Sequence, residues 1–280
     1  MRYGFITCVR LGEACVEELL DLGADLVQLG TLTDDQAPHK SGRVFLDQLA
    51  AAHDIPLLKF ASINDPETIH AVELARLDWL FIVGWSQIAK RPVLSAARLG
   101  AIGMHPTLLP VGRGRASVPW AIIKGLPETG VTMFQLDEGT DTGPILGQTR
   151  IPIVQGEAST TLYAKVITAH RQLIRDSFAA LESGAPELII QDESKSTEWP
   201  GRKPADGEID PTTMTAADVD RYVRALTHPY PGAFFRGEDG RVVRVWAGRV
   251  CKGTAGRDSG LLLVTAEGAY VATDVTYEEA

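Results

Sequence analysis

The sequence is poor in cysteine and has no cysteine pair at the short spacing of a metal or redox motif. Cys8, Cys15 and Cys251 are scattered over 280 residues. The sequence therefore suggests neither a disulfide framework nor a zinc site. We expect reduced, mostly buried thiols, as in a cytoplasmic protein.

Long apolar runs are also absent. No stretch approaches the ~18 to 20 apolar residues that span a bilayer. The first ten residues lack the apolar core and the small-residue cleavage site of a signal peptide. We therefore expect a cytoplasmic protein that does not associate with membranes.

Positive charge is scarce, because the sequence has 27 Lys and Arg residues against 36 Asp and Glu residues and therefore a net charge of −9. Nucleic-acid affinity comes largely from Lys and Arg, so this balance argues against a nucleic acid as partner. A small anionic substrate stays compatible, because it needs only a local basic pocket. With 45% apolar and 22% charged residues, the composition is typical of a globular protein.

The first two thirds of the chain alternate short apolar runs with helical patterns. The pattern predicts strands at 5–9, 26–29, 57–60 and 79–83 and helices at 12–22, 42–52 and 65–76. Such alternation indicates an α/β fold with a Rossmann-like, mostly parallel sheet. Two antiparallel strands, 130–136 and 144–153, and a long helix over 159–182 complete the predicted first domain.

The last third has a different pattern, with one helix at 216–226 and four short strands at 233–235, 242–250, 261–265 and 270–273. We predict a catalytic domain over 1–190, a linker over 191–208 that is rich in Ser, Lys, Pro and Gly, and a small β-rich domain over 209–280.

Ligands of open α/β sheets bind outside the carboxyl ends of the strands. The segments at such ends are 84–88, 103–110 and the loop 137–143. Among six histidines, His105 stands out because Pro106 and Pro110 restrain the flanking backbone. A lone histidine is nevertheless more often structural than catalytic. The other five are interpreted as structural or solvated: His39, His53, His70, His170 and His228.

A catalytic histidine gains from a carboxylate that fixes its tautomer and supports its protonated form. Asp137, Glu138 and Asp141 are the candidates, in a loop whose glycines allow tight turns. A solvated acidic hairpin is the alternative interpretation of this loop.

Several motifs in this region match a known family. The stretch His105-Pro-Thr-Leu-Leu-Pro, then Gly112-Arg-Gly-Arg-Ala and Trp120, resembles the signature region of the 10-formyltetrahydrofolate-dependent formyltransferases. Glu128-Thr-Gly-Val-Thr-Met and Asp141-Thr-Gly continue the match in the same order and spacing.

The last third resembles the OB-like C-terminal domain of that family, in Arg202-Lys-Pro-Ala-Asp-Gly and in Arg224-Ala-Leu-Thr-His-Pro-Tyr-Pro-Gly-Ala-Phe. The resemblance covers nearly the whole chain. It is closest to the enzymes that formylate amino groups of nucleotide-linked sugars, and next to the methionyl-tRNA formyltransferases.

The resemblance implies transfer of a formyl group from 10-formyltetrahydrofolate to a primary amine, without a metal. It implies that His105 is the acid/base and that Asp141 holds it and supports its protonated form. It assigns folate binding to Gln87, Ile88, Ala89, Asp137, Glu138, Gly139, Thr140 and Asp141. Arg115 matches a ligand-binding arginine, and Trp85, in the strand-end segment, is the second candidate for substrate binding.

One position departs from the family pattern. The family usually has an asparagine two residues before the histidine, where it polarises the formyl carbonyl, and here that residue is Gly103. Loss of one oxyanion donor typically costs ~10² to 10³ in rate. Three interpretations stay open: an active enzyme with a replacement donor, a slow or specialised enzyme, or a folate-binding homologue with impaired catalysis.

The acceptor is a further open question. Methionyl-tRNA would require a basic second domain, whereas acidic residues slightly outnumber basic ones over 201–280, and no basic loop is inserted after Arg115. A small amine, nucleotide-linked in the closest subfamily, is therefore preferred. A formyltetrahydrofolate hydrolase is another alternative, and a homodimer is compatible with the sequence.

Overall fold

The computed structural model describes residues 1–39, 42–237, 240–251 and 260–278. The chain divides into two compact units, each assembled from several segments. The first unit contains 1–114, 130–151 and 165–198, and the second contains 115–129, 152–164 and 199–280. The predicted domain limits of 1–190, 191–208 and 209–280 stay a prediction.

Strands and helices alternate along the chain as far as β5. In chain order the elements are β1 (Arg2–Ile6), α1 (Arg10–Asp21), β2 (Asp25–Leu32), α2 (Asp47–Ala52), β3 (Leu57–Phe60), α3 (Pro66–Leu74), β4 (Trp79–Val83), α4 (Arg91–Leu94), β5 (Gly100–His105), β6 (Arg113–Gly114), α5 (Ser117–Ile123), β7 (Glu128–Gln135), β8 (Ile145–Pro152) and α6 (Ser159–Ser183). Strands and the helix α7 follow in the described part of the chain: β9 (Glu198–Trp199), α7 (Ala216–Leu226), β10 (Ala233–Arg236), β11 (Val242–Cys251), β12 (Leu261–Val264) and β13 (Ala269–Glu278).

The first unit is built on a seven-stranded sheet with the order β3-β2-β1-β4-β5-β7-β8. Strands β1 to β5 are parallel, and β7 pairs with β5 in the antiparallel direction. All five residues of β4 are buried, as expected for a central strand covered on both faces. The prediction of a Rossmann-like, mostly parallel sheet is therefore confirmed.

The second unit contains a four-stranded antiparallel sheet with the order β10-β11-β13-β12. Helix α7 begins with a capping box in which Thr215 and Asp218 satisfy each other's backbone N–H groups. This helix has the predicted bounds, and the predicted small β-rich region is confirmed.

Two predicted elements are displaced. The first strand ends at Ile6 rather than at residue 9, because Thr7 Oγ1 accepts the N–H of Val9 and α1 follows immediately. The helix predicted over 42–52 begins only at Asp47, since the N–H of Val44 donates to the carbonyl of Cys8 and keeps the preceding backbone extended.

Strand β5 was not predicted, although it carries the key histidine. Its sequence, Gly-Ala-Ile-Gly-Met-His, contains two glycines and has little intrinsic strand preference. Pairing with β4 on one side and β7 on the other stabilises it as a strand. Tertiary pairing therefore outweighs local propensity here.

Helix ends follow the sequence signals. Gly23 and Gly184 follow α1 and α6 with φ of +75° and +72°, the left-handed conformation that ends helices and favours glycine. The segment predicted as a linker contains two single-turn 3-10 helices, Glu193–Lys195 and Pro204–Gly207, besides β9. Among the described residues, none of the helices has the length and apolar character needed to cross a membrane.

Candidate active site

His105 is the last residue of β5 and lies at the carboxyl end of the parallel strands. It pairs with Thr132 of β7, and only 7% of its surface is exposed. Its Nε2 lies 2.8 Å from the carbonyl oxygen of Gly112. Because a carbonyl oxygen can only accept, Nε2 carries a proton in this contact.

Asp141 lies on the other side of the His105 ring. Its Oδ2 is 3.5 Å from Nδ1 of His105 and accepts the N–H of Gly114 at 2.9 Å. The residue has φ of +55°, in the left-handed region that aspartate and asparagine tolerate better than most residues. The hairpin loop and the histidine loop therefore meet at this carboxylate.

Both nitrogens of the His105 ring thus face acceptor atoms. A protonated ring donates from both nitrogens and satisfies both contacts, whereas a neutral ring leaves one lone pair facing an oxygen. The arrangement suits a histidine that holds a proton beside a carboxylate, which is the requirement for general acid/base chemistry.

A buried polar network holds the backbone of Asp141. Gln191 donates from Nε2 to the carbonyls of Asp141 and Gly143, at 2.9 and 2.7 Å. Its Oε1 accepts Nε and Nη2 of Arg113, at 3.2 and 2.8 Å. Arg113 in turn pairs with Glu193 at 2.6 Å, and the hydrogen bonds that the guanidinium donates to Glu193 raise the pKa of Arg113. The network anchors the loop that carries the carboxylate.

Sequence reasoning missed Gln191 and assigned no role to Arg113. Arg113 lies in the Gly112-Arg-Gly-Arg-Ala motif. Gln191, however, lies 50 positions from Asp141, at the start of the predicted linker, where no local pattern marks it. Only long-range contacts reveal its role.

A second set of hydrogen bonds fixes the backbone that follows His105. The hydroxyl of Thr132 donates to the carbonyl of Thr107 at 2.7 Å and accepts the N–H of Leu109 at 3.0 Å. Gln148 donates to the carbonyl of Leu109 at 2.8 Å. This segment is thus restrained by the buried Thr132 and by Gln148 besides the flanking prolines.

Gly103 lies on the same face of β5 as His105, because the two residues are separated by two positions in a strand. A Cβ at Gly103 would lie 2.6 Å from Cδ2 of Leu136 and 3.1 Å from Cζ of Phe134. The side chain of Leu136 therefore fills the space that a larger residue at position 103 would enter.

We expect Gly103→Asn to lower the free energy of unfolding by about 1–3 kcal/mol, because Leu136 must shift to admit the side chain. Urea denaturation measures the loss, and a double-mutant cycle with Leu136→Ala should show positive coupling. Gly201→Asn, where an added Cβ would meet other atoms only at 3.5 Å or more and φ is not positive, is the control. Additive losses in the cycle would contradict the steric explanation.

Residues 87–89, which follow β4 and are predicted to bind the folate, are held in place by hydrogen bonds and packing within the protein. Gln87 uses its side chain within the protein, accepting the N–H of Ile63 at 2.8 Å and donating to the carbonyl of Ala61 at 2.7 Å. Asn64 donates to the carbonyl of Ile88 at 2.8 Å. The Ile88 side chain is 69% exposed, and Ala89 packs against the apolar core.

A groove of about 660 Å³ lies between α4 and the loop after β7. Leu94, Ala97 and Leu136 give it an apolar part, and the loop contributes Asp137, Glu138 and Gly139. The Asp137 carboxylate stabilises this loop by accepting from the N–H of Gly139 and the hydroxyl of Thr142, at 3.0 and 2.6 Å.

The predicted site residues are thus partly brought together. His105 and Asp141 meet, and Gly103 shares the face of His105. Residues 137–139 line the groove, whereas Thr140, which is exposed, and residues 87–89 are not part of its lining. Arg115 belongs to the second unit, where it is exposed and its N–H donates to the carbonyl of Trp199 at 3.2 Å.

His170, interpreted from the sequence as structural, is completely buried in α6. Its Nδ1–H donates to the carbonyl of Val166 at 2.8 Å. Burial lowers its pKa to about 4. His53, His70 and His228 are exposed, and the side chain of His39 lies outside the described part of the chain.

The pKa of His170 predicts a pH-dependent stability. Between pH 6.5, the ordinary pKa, and about 4 the unfolded chain binds a proton that the folded chain does not. Stability is therefore lost as pH falls through this window, by up to about 3 kcal/mol from this group. Urea denaturation from pH 7 to 4.5 should show a shallower decline for His170→Leu than for the exposed control His70→Leu. If stability declined equally with pH in the two variants, the lowered pKa of His170 would be contradicted.

These features define a class of protein: a mostly parallel α/β sheet with a buried histidine–carboxylate pair at its carboxyl edge, followed by an antiparallel β region. Residues 20–177 match the family model described as formyl transferase, and residues 202–277 match that of the formyl transferase C-terminal domain. The chain belongs to the formyl transferase family.

Solved structures show the same fold. A sugar N-formyltransferase from a Shewanella species is 19% identical, with a TM-score of 0.72, over 90% of this chain and 99% of that one. Methionyl-tRNA formyltransferase from Clostridium thermocellum is 18% identical, with a TM-score of 0.65, over the whole of both chains.

HypX from Aquifex aeolicus in complex with tetrahydrofolic acid is 18% identical, with a TM-score of 0.69, over 98% of this chain. This chain spans 44% of the length of HypX. At these identities the comparisons with solved structures describe the fold.

Proposed function

We propose that the protein is an N-formyltransferase that transfers a formyl group from 10-formyltetrahydrofolate to a primary amine of a small, nucleotide-linked amino sugar. The pairing of His105 with Asp141 carries the proposal. Family membership supports the reaction type, because the paired residues belong to the motifs that resemble the family's signature.

The roles of the two residues follow from their contacts. In its neutral form His105 accepts the proton that the amine loses during addition, and the protonated ring then donates it to the folate nitrogen as the tetrahedral intermediate collapses and tetrahydrofolate leaves. Asp141 stabilises the positive ring through Nδ1 and fixes its orientation. Gly114 and Gln191 keep this carboxylate in place, so that the geometry exists before substrate binds.

The groove beside α4 fits the co-substrate in chemical character. A pterin ring has flat apolar faces and a polar edge, and the groove offers Leu94, Ala97 and Leu136 beside the polar loop 137–139. When bound, 10-formyltetrahydrofolate supplies the activated formyl group. We assign its binding to this loop, with Thr140 and Asp141, and to the backbone of Gln87, Ile88 and Ala89.

Charge favours a small acceptor over tRNA. The chain is acidic overall, which disfavours an extended phosphate backbone as ligand. Trp85 and Arg115 are the residues we assign to acceptor binding. The cytoplasmic location and a homodimer stay predictions from the sequence.

An absorbance assay of tetrahydrofolate release from 10-formyltetrahydrofolate tests the proposal. The enzyme is supplied with no acceptor, with a panel of nucleotide-linked amino sugars, and with methionyl-tRNA. We expect release only with an amino sugar. Release without acceptor would identify a hydrolase, and release with methionyl-tRNA alone would overturn the acceptor assignment.

A binding protein without catalysis is the remaining alternative, because Gly103 provides no side-chain donor and Leu136 fills the space beside it. If no acceptor supported tetrahydrofolate release but fluorescence titration detected folate binding, a binding protein would be favoured. Turnover that is lost in a folded His105→Ala variant would exclude it.

A further inference from the structure

Thr132 lies directly opposite His105 in the pairing of β7 with β5. Residues that are opposite each other in antiparallel strands point to the same face of the sheet, so the two side chains are neighbours. Thr132 is completely buried. A valine has the same shape and suits a buried strand position equally well. The strand by itself therefore does not explain why a hydroxyl is present here.

The hydroxyl of Thr132 uses its whole hydrogen-bonding capacity. It donates to the carbonyl of Thr107 at 2.7 Å, and it accepts the N–H of Leu109 at 3.0 Å and Nε2 of Gln148 at 2.9 Å. A hydroxyl has one donor and two acceptor sites, and all three are occupied. The direction of each bond is defined, because the carbonyl can only accept and the two nitrogens donate.

Both backbone groups that the hydroxyl binds belong to the segment that follows His105. Thr107 and Leu109 are only 1% and 3% exposed, so without the hydroxyl these polar groups find a new partner only if the segment moves. Gln148, on β8, also donates to the carbonyl of Leu109 at 2.8 Å. Side chains of β7 and β8 thus hold this segment in place.

The same segment leads back to the imidazole ring. The carbonyl of Gly112 accepts the N–H at Nε2 of His105 at 2.8 Å. Two residues separate Leu109 from Gly112, so a shift at Leu109 is transmitted to this carbonyl. The orientation of the ring, and with it the 3.5 Å separation between Nδ1 and Oδ2 of Asp141, therefore depends on where the segment is held.

We propose that Thr132 is a positioning residue for His105 and that Gln148 supports it. The hydroxyl acts through the segment whose last carbonyl orients the imidazole beside Asp141. The inference rests on the proposed function and deepens it, because it adds to the acid/base pair the side chain that orients it.

Thr132→Val removes the hydroxyl and keeps the shape of the side chain. We expect kcat for formyl transfer to fall about 10- to 100-fold, with less than about a threefold change in KM for 10-formyltetrahydrofolate, because misplaced reacting groups slow the chemical step more than they weaken binding. Thr132→Ser restores the hydroxyl and should bring kcat back to within about threefold of the parent. A general loss of structure would not confine the effect to kcat.

The orientation of the ring can also be measured without turnover. In protein with isotope-labelled histidine, the NMR signal of the proton on Nε2 of His105 reports the hydrogen bond to Gly112, and its loss in His105→Gln assigns it. We expect this signal to shift in Thr132→Val and to return to its parent position in Thr132→Ser.

Thr265→Val is the matched control. It also removes a buried threonine hydroxyl, one that donates to the carbonyls of Glu267 and Gly268 at 3.0 and 2.9 Å. Thr265 belongs to the second unit, so kcat and the His105 signal should equal those of the parent. Urea denaturation compares the stability of the two valine variants.

A second variant keeps the test decisive if Thr132→Val does not fold. Gln148→Met removes the other side chain that holds Leu109, and we expect kcat to fall about 3- to 30-fold with a shift of the same His105 signal. Unchanged kcat and an unchanged signal in this variant would overturn the proposal.

Three results with folded Thr132→Val would also overturn it: a kcat within about threefold of the parent, an unchanged His105 signal, or an equal loss of kcat in Thr265→Val. Absence of turnover in the parent with every amine would contradict the proposed function alone. The His105 signal would then still decide whether Thr132 orients the ring.

Discussion

Replacing Asp141 by asparagine is expected to reduce kcat by about 10²- to 10⁴-fold while leaving the fold intact. Asparagine has the same shape, accepts the N–H of Gly114 in the same way, and tolerates the left-handed φ of +55°. It lacks the negative charge that supports a protonated His105 across 3.5 Å. The substitution therefore removes the electrostatic stabilisation of a protonated His105 and leaves the shape and the hydrogen bond to Gly114 unchanged.

Steady-state kinetics with the identified acceptor measure this effect, and urea denaturation verifies that stability is retained. Asp25→Asn is the matched control, because Asp25 is exposed at the first position of β2, far along the strand from the carboxyl edge. Near-normal kcat in Asp141→Asn would refute the role of the carboxylate. An equal loss in Asp25→Asn would indicate a nonspecific effect.

His105→Gln is expected to lower kcat by about 10²- to 10⁴-fold, because glutamine cannot exchange a proton at neutral pH. The glutamine amide can still donate a hydrogen bond to the carbonyl oxygen of Gly112, which in the parent protein lies 2.8 Å from Nε2 of His105. The buried contact is thereby preserved, and folate binding should change little.

Kinetics and a fluorescence titration with 5-formyltetrahydrofolate separate the two effects. His70→Gln, at an exposed position on α3, serves as control. If His105→Gln lost folate binding to the same degree as activity, the histidine would be a binding residue rather than the proton carrier. If activity persisted, another group would carry the proton.

The fold was predictable where local pattern and tertiary structure agree. The run Trp79–Val83 is apolar at every position and forms the central strand β4. The periodic pattern over residues 216–226, with Thr215 as cap, gives α7 with its bounds. Prediction failed at β5, where two glycines conceal a strand that exists through pairing with its neighbours.

The candidate site was predictable to the level of its proposed catalytic pair. Their sequence motifs identified His105 and Asp141, and the structure places them 3.5 Å apart. The groups that hold them were not predictable, because Gln191 acts across 50 positions and carries no motif. The obstruction of position 103 by Leu136 was likewise not predictable, since long-range pairing of β5 with β7 brings the two residues together.

The segmentation of the two units has a consequence for exchanging parts between relatives. The second unit includes residues 115–129 and 152–164 besides the C-terminal stretch from 199, and α5 packs against α7 within it. A chimera joined once, near residue 200, would pair a foreign α7 with the native α5. Hybrid enzymes in this family should therefore carry all three segments from one parent.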